Sequence, residues 1–223
     1  MKRLYLRCRN KALRTALRRV VRLRPREPNL RIGTRYGGWI VPLSTIRSGA
    51  VCYCAGLGED GSFDRALAEE HGCRVFTFDP TPRAITYAET KLAGVPGLQF
   101  TPRGLWSKRE VLRFYAPQNS DHVSHSIVNL QGTTEYFEAE CESVTDAMAD
   151  LGHDHIDLLK LDVEGAEYEV LESMLTARVP VTTVCVEFDQ PAPFWKTIGQ
   201  IRRMQAAGYE VVAIEGWNVT FHM

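Results

Sequence analysis

The sequence predicts a doubly wound α/β fold: a mostly parallel sheet covered by helices on both faces, ending in an antiparallel C-terminal hairpin strand. Three observations carry this expectation. Short, near-continuous apolar runs alternate with amphipathic helical segments along most of the 223 residues, as expected for strands buried on both faces and joined by crossover helices. A glycine-rich turn, Gly56-Leu57-Gly58-Glu59-Asp60-Gly61, lies between the first such run and the first helix. Near the end, two β-prone runs are separated only by the turn Glu215 to Asn218. A parallel neighbour needs a crossover of about a dozen residues, so the last strand must run antiparallel.

The elements follow in order. Residues 1–28 form a basic arm and residues 29–223 the α/β domain. In the arm, Leu6, Leu13, Leu17, Val20 and Val21 recur at helical spacing until Pro25 and Pro28 stop the pattern. Residues 31–42 read as a loop bearing glycines and aromatics. Val51–Ala55 is the first buried strand and Ser62–Glu70 its helix. Arg74–Asp79 is a second strand, Arg83–Lys91 a helix, and Leu98–Thr101 a third strand. Residues 102–142 are less regular, with strand-like pieces at Val111–Tyr115 and Tyr136–Cys141. Regular alternation then resumes with helix Val144–Leu151, strand Ile156–Leu161, helix Ala166–Leu175, strand Val181–Phe188 and helix Phe194–Ala207. Tyr209–Ile214 and Val219–His222 are the closing pair.

The formal charge of zero hides an asymmetry. Residues 1–26 hold 11 Lys or Arg and no acid, which leaves 16 bases against 27 acids in the remainder, a net charge of −11. An acidic body does not favour nucleic acid as the main substrate. The basic amphipathic arm can pack on that acidic body, grip an acidic partner, or make peripheral contact with an anionic membrane through residues 1–26. No apolar run approaches the roughly 20 residues a membrane-spanning helix needs. The six cysteines form no Cys-x-x-Cys pair. Reduced, buried thiols in a cytoplasmic protein are the expectation.

Gly56, Gly58 and Gly61 let the backbone turn sharply and approach a ligand closely. Asp79 ends the next strand 21 positions after Gly58, where a carboxylate can accept the hydroxyls of an adenosine ribose. These features fit a dinucleotide as well as S-adenosylmethionine (SAM). Glu59 and Asp60 favour SAM, because carboxylates in the turn repel a pyrophosphate but suit a sulfonium and an ammonium group. An NAD(P)-dependent oxidoreductase and a non-catalytic SAM-fold binding module are the alternatives.

A second constellation, Leu158-Leu-Lys-Leu-Asp162-Val-Glu164-Gly165-Ala-Glu167, ends one strand and opens a helix. Glu164 and Glu167 also suit the N-terminus of that helix. Asp162 lies where the strand meets the crevice, and Glu187 and Asp189 end the next strand. Asp162 and Glu187 can act as general base for an acceptor hydroxyl, or hold a divalent cation that lowers its pKa.

Tyr53–Asp64, Phe78-Asp-Pro-Thr-Pro82 and Leu159–Leu171, together with Arg31–Trp39 and Val123-Ser-His-Ser126, resemble the FkbM family of SAM-dependent methyltransferases across roughly residues 31–189. The resemblance implies the class I methyltransferase (Rossmann-like) fold and O-methylation of a sugar or other small molecule. Many class I methyltransferases carry an acid two residues before the first turn glycine; here Cys54 stands there, and Glu59, Asp60 or Asp162 must receive the methionine ammonium instead. A histidine often follows Glu-Phe in this family, where the present chain has Asp189.

The expected cofactor-binding set is therefore Tyr36, Gly56, Gly58, Glu59, Asp60, Asp79, Pro80, Gly104, Leu105 and Asp162. Within it Tyr36 is a lid, and Gly104-Leu105-Trp106 falls where adenine sits in this fold. Asp162, Glu187 and His125 are the candidates for catalysis, which requires an acceptor oxygen held in line behind the sulfonium methyl.

Overall fold

The computed structural model describes residue 13 and residues 15–115, 133–188 and 192–223. At its centre lies β9 (Ile156–Leu161), whose six residues are all buried. Its apolar run therefore reads as strand because both faces are covered. Parallel neighbours flank it: β3 (Val51–Ala55) on one side and β10 (Val181–Glu187) on the other. Outward from β3 the sheet continues through β4 (Arg74–Phe78) to β5 (Leu98–Thr101), both parallel. On the far side of β10 come β12 (Asn218–His222) and then β11 (Glu210–Glu215), giving the order β11-β12-β10-β9-β3-β4-β5.

The last strand is antiparallel to both neighbours, as the short turn required. The β11–β12 hairpin occupies one edge of the sheet. β12 inserts between β10 and β11, and β11 takes the rim. In both strands the apolar residues are buried, Val219 and Phe221 in β12 and Val211 in β11.

Helices cover both faces. α2 (Ser62–Glu69) buries Phe63, Ala66 and Leu67 against one face, with Cys52, Cys54 and Val75. α4 (Val144–Leu151), α5 (Glu167–Ala177) and α6 (Phe194–Ala206) bury Met148, Leu171, Ile201 and Met204 against the other. α4 starts on a capping box, with Ser143 and Asp146 satisfying each other's backbone N–H, and ends at Gly152 in the left-handed region. α3 (Pro82–Tyr87) begins on a proline and gives way to one π-helical turn, Ala88–Leu92, so the helix read over Arg83–Lys91 changes character midway.

Two regions differ from the sequence expectation. Residues 31–42 are not simply a loop. β1 (Asn29–Ile32) and β2 (Trp39–Pro42) form an antiparallel ribbon with residues 33–38 as its tip. The ribbon buries Ile32, Trp39 and Val41 on the α2 face of the sheet. The irregular stretch after β5 contains a small second sheet in the order β6-β8-β7, built from β6 (Gly104–Trp106), β7 (Glu110–Tyr115) and β8 (Tyr136–Ser143). β6 was not visible in the sequence, being three residues long.

The described part of the arm packs on the body, with Leu13 already against the main core. Residues 15–20 form helix α1, and Leu17 and Val21 join the main core. The Arg24 N–H donates to the Val211 carbonyl, and Arg24 and Arg26 pair with Glu210. Val20 and Leu23 remain exposed. Among the described residues no helix is long and apolar enough to cross a membrane. Cys52, Cys54, Cys73, Cys141 and Cys185 are buried free thiols; Cys8 lies outside the described residues.

Candidate active site

A cleft of about 1050 Å³ opens at the carboxyl edge of the sheet. It lies at the switch point where β4 leads away from β3 on one side and β9 on the other, the place open α/β sheets bind ligands. The turn after β3 is its floor. Gly56 has φ +85°, and a Cβ there would lie 1.7 Å from the carbonyl oxygen of Asp162. Only glycine lets the ends of β3 and β9 come this close. Gly58, at φ +56°, meets open space and needs glycine only for its backbone angle. Gly61 is tight for another reason: Leu92 and Tyr87 pack over it, and its N–H donates to the Tyr87 hydroxyl.

Asp79 holds this turn. Leu57 and Gly58 N–H donate to its Oδ2 at 2.9 and 3.0 Å, and the Thr81 N–H and hydroxyl donate to its Oδ1 at 2.8 and 2.7 Å. The carboxylate is thus fully hydrogen-bonded and only 5% exposed. The two turn acids are also engaged. Glu59 pairs with Arg83 at 2.8 Å. Asp60 accepts from the Thr34 hydroxyl at 2.6 Å and the Ser62 N–H at 3.1 Å. Burial raises the Asp60 carboxyl, but the hydrogen bonds from Ser62 and Thr34 outweigh it and leave it below the usual range. The ribbon tip is therefore tied to the turn through Thr34, with Gly37 against Asp60.

The end of β9 supplies the opposite wall. Lys160 is 4% exposed and bonds the Gly56 carbonyl, and its Nζ lies 3.7 Å from Asp162 Oδ2. Burial lowers the Lys160 ammonium, yet Asp162 and Asp64 more than offset it and hold it above the ordinary lysine range. Asp64, beneath it on α2, accepts from Thr77 at 2.6 Å. After Asp162 the chain turns through Glu164 at φ +50° and Gly165 at φ +108°, a left-handed pair that costs energy at the non-glycine position. Glu167 turns back to accept the Gly165 N–H with both oxygens, the helix-terminal role that acidic residues favour.

All ten expected cofactor residues, Tyr36, Gly56, Gly58, Glu59, Asp60, Asp79, Pro80, Gly104, Leu105 and Asp162, border this one cleft, and so does Glu187. Tyr36 is 86% exposed at the rim. Partial loss of solvent, together with the carboxylates of Asp162, Glu187, Glu164 and Asp60 along the same cleft, raises the phenol above its ordinary value. Trp106 does not face the cleft; its Nε1–H donates to Glu110. Beside Gly104 the cleft is bordered by Phe114, stacked on Phe137, and by Phe78. The β11–β12 turn adds Trp217 and Asn218, which the sequence reading missed, although a tryptophan beside a turn glycine was an available signal. Lys160 was noted among the acids and given no role. His125 and Asp189 lie outside the described residues. Cys54 is buried beside Asp64 and Lys160, and burial first, then Asp64, push its thiol up. Among the described residues no three His, Cys, Asp or Glu side chains gather as a metal site, so the pair Asp162 and Glu187 has no third ligand there.

A glycine turn and an acid-walled cleft at the switch point of a doubly wound sheet define a class of proteins that bind nucleoside cofactors. The chain belongs to the FkbM methyltransferase family, a family of SAM-dependent methyltransferases: residues 57–211 match the methyltransferase FkbM domain. No curated protein matches the chain. Among solved structures it is similar to the METTL16 MTase domain (14% identity, 96% of this chain and 80% of that one, TM-score 0.46). It is also similar to fibrillarin of Aeropyrum pernix with natively bound SAM (10% identity, 79% and 67%, TM-score 0.43). A third is precorrin-6y C5,15-methyltransferase of Geobacter metallireducens GS-15 (10% identity, 81% and 86%, TM-score 0.44).

Proposed function

We propose that the cleft binds SAM and that the chain transfers its methyl group to a hydroxyl of a sugar or other small molecule. The observation that carries this reading is the charge of the lining. Seven carboxylates border the cleft (Glu59, Asp60, Asp79, Asp162, Glu164, Glu187 and Glu215); with Glu59 and Glu215 set against their partners Arg83 and Arg31, the other five still outnumber the lining bases Arg35 and Lys160. Such a lining favours a cationic ligand and opposes the pyrophosphate of a dinucleotide. Its volume leaves room for a second, smaller molecule beside the cofactor, because ligand pockets run from about 300 to 1000 Å³.

Bound there, SAM supplies an electrophilic methyl on a sulfonium sulfur that departs as a neutral thioether. The chain does the rest. The glycine turn forms the ribose edge, and Asp79, expected from the sequence to accept the ribose hydroxyls, instead uses its four acceptor positions to fix that turn; Leu105, Gly104 and Phe114 form an apolar slot for the flat base. Asp162 and Glu187 accept the proton, or the hydrogen bond, of the acceptor hydroxyl. A positioned base of this kind contributes roughly 10²–10⁴-fold. Tyr36 covers the mouth and limits water.

Calorimetric titration with SAM, S-adenosylhomocysteine and NAD tests the cofactor assignment. Binding of the first two and not of NAD is expected; binding of NAD alone overturns it. With SAM binding in hand, methyl transfer from labelled SAM to a panel of sugars and hydroxylated small molecules tests the reaction. Affinity without transfer to any acceptor favours a binding module.

A further inference from the structure

The amino-acid end of SAM carries a carboxylate as well as an ammonium. In a cleft so rich in acids, the ammonium has several partners and the carboxylate few. Arg35 lies on the exposed ribbon tip, and Lys160 lies on the β9 wall against the glycine turn. Lys160 is the cross-strand neighbour of Cys54, which contributes no charge of its own to the floor.

The geometry around Lys160 leaves donors available. Among the described residues its one hydrogen bond is to the Gly56 carbonyl. The 3.7 Å separation from Asp162 is an ion pair but longer than the roughly 2.7–2.9 Å of a charge-assisted hydrogen bond. An ammonium has three N–H groups. A buried ammonium with donors to give, at the edge of a cleft, is a receptor for a carboxylate.

We propose that Lys160 is the carboxylate-recognising residue of the cofactor site, and that it sets the direction of the bound amino-acid end by holding its carboxylate where β9 meets Gly56, with the ammonium turned away toward the cleft acids Glu164 and Glu187. This rests on the SAM reading above. It gives a buried lysine beneath the turn a binding role in addition to its structural one.

The test compares SAM with decarboxylated SAM, which lacks only the carboxylate, by titration of wild type, Lys160→Met and Lys160→Arg. Wild type should prefer SAM by about tenfold or more, the scale of one hydrogen bond between charged groups. Lys160→Met should bind both ligands within about threefold of each other, and Lys160→Arg should keep the preference, since it keeps the charge. If Lys160→Met weakens both ligands equally and the preference persists, the lysine is structural only and the proposal fails. It fails also, without any variant, if wild type binds SAM and does not discriminate. If wild type binds neither ligand, the SAM reading itself falls, an outcome distinct from the other two.

Discussion

The turn after β3 and the turn after β9 lie against each other, with Gly56 touching the backbone of Asp162, yet they are built on different principles. In the first, each acid is tied to a neighbour: Asp79 pins the turn with four hydrogen bonds, Glu59 pairs with Arg83, and Asp60 clasps the ribbon tip. In the second, Asp162 keeps a third of its side chain exposed to the cleft, with Lys160 at ion-pair distance, and the chain behind it holds Glu164 in a left-handed conformation. The lesson is that acids at a ligand-binding edge divide their labour. Those of the first turn maintain shape, as Glu167 does in the second, and on the proposed function Asp162 is the acid placed to act.

The comparison breaks most completely at Gly56. Gly56→Ala should lose about 4 kcal/mol or more in chemical denaturation, because its Cβ must displace the Asp162 carbonyl. Gly58→Ala, facing open space, should lose only about 1–2 kcal/mol, from the backbone angle. Asp162→Asn should leave stability nearly unchanged and cut turnover by roughly 10²-fold or more in a methyl-transfer assay. A loss of stability without loss of turnover would reverse the division drawn above. Asp79→Ala should do what Asp162→Asn does not: it strands the Leu57 and Gly58 amides, at a cost of about 1–3 kcal/mol each if water does not replace the carboxylate, and SAM affinity should fall with the loss of the turn.

Acid titration sharpens the point more gently. Asp60 is held below the usual carboxylate range in the folded chain. The unfolded chain therefore binds this proton more readily, and the stabilisation is present above the unfolded carboxylate's pKa and fades as pH falls toward the folded one. Asp60→Asn should flatten that acid limb in a stability-versus-pH series. The smallest effect belongs to Glu59→Gln. Its pair with Arg83 is half exposed, so stability should change by less than about 1 kcal/mol.

Much of the fold was legible because its interior strands are fully buried, and a run such as Ile156–Leu161 announces itself by composition. The antiparallel sense of β12 followed from the length of one turn. Its insertion between β10 and β11 did not, because strand order depends on packing between distant segments. The β1–β2 ribbon was hidden by its glycines, which the tip needs, and by strands of four residues. At the site, the cleft-lining residues were readable from the ends of strands. What each acid bonds was not. Glu59 looked like a cation receptor until Arg83, 24 residues away, was found against it. Phe114 rather than Trp106 faces the cleft because the small second sheet decides which side each strand presents.

The clasp between the two ends of the described chain has a consequence for assembly. Arg31 holds Glu215 with both guanidinium nitrogens, and Arg26 holds Glu210, each across 184 residues of sequence. During synthesis the arm and ribbon emerge early, while the strand they fasten to is made late. Contacts so far apart in sequence close a large loop, so each carries a high entropic cost of formation. Glu215, at the β11–β12 side of the cleft, is thereby held by the same ribbon that carries Tyr36 at the rim, so the two sides of the ligand site are braced by one contact.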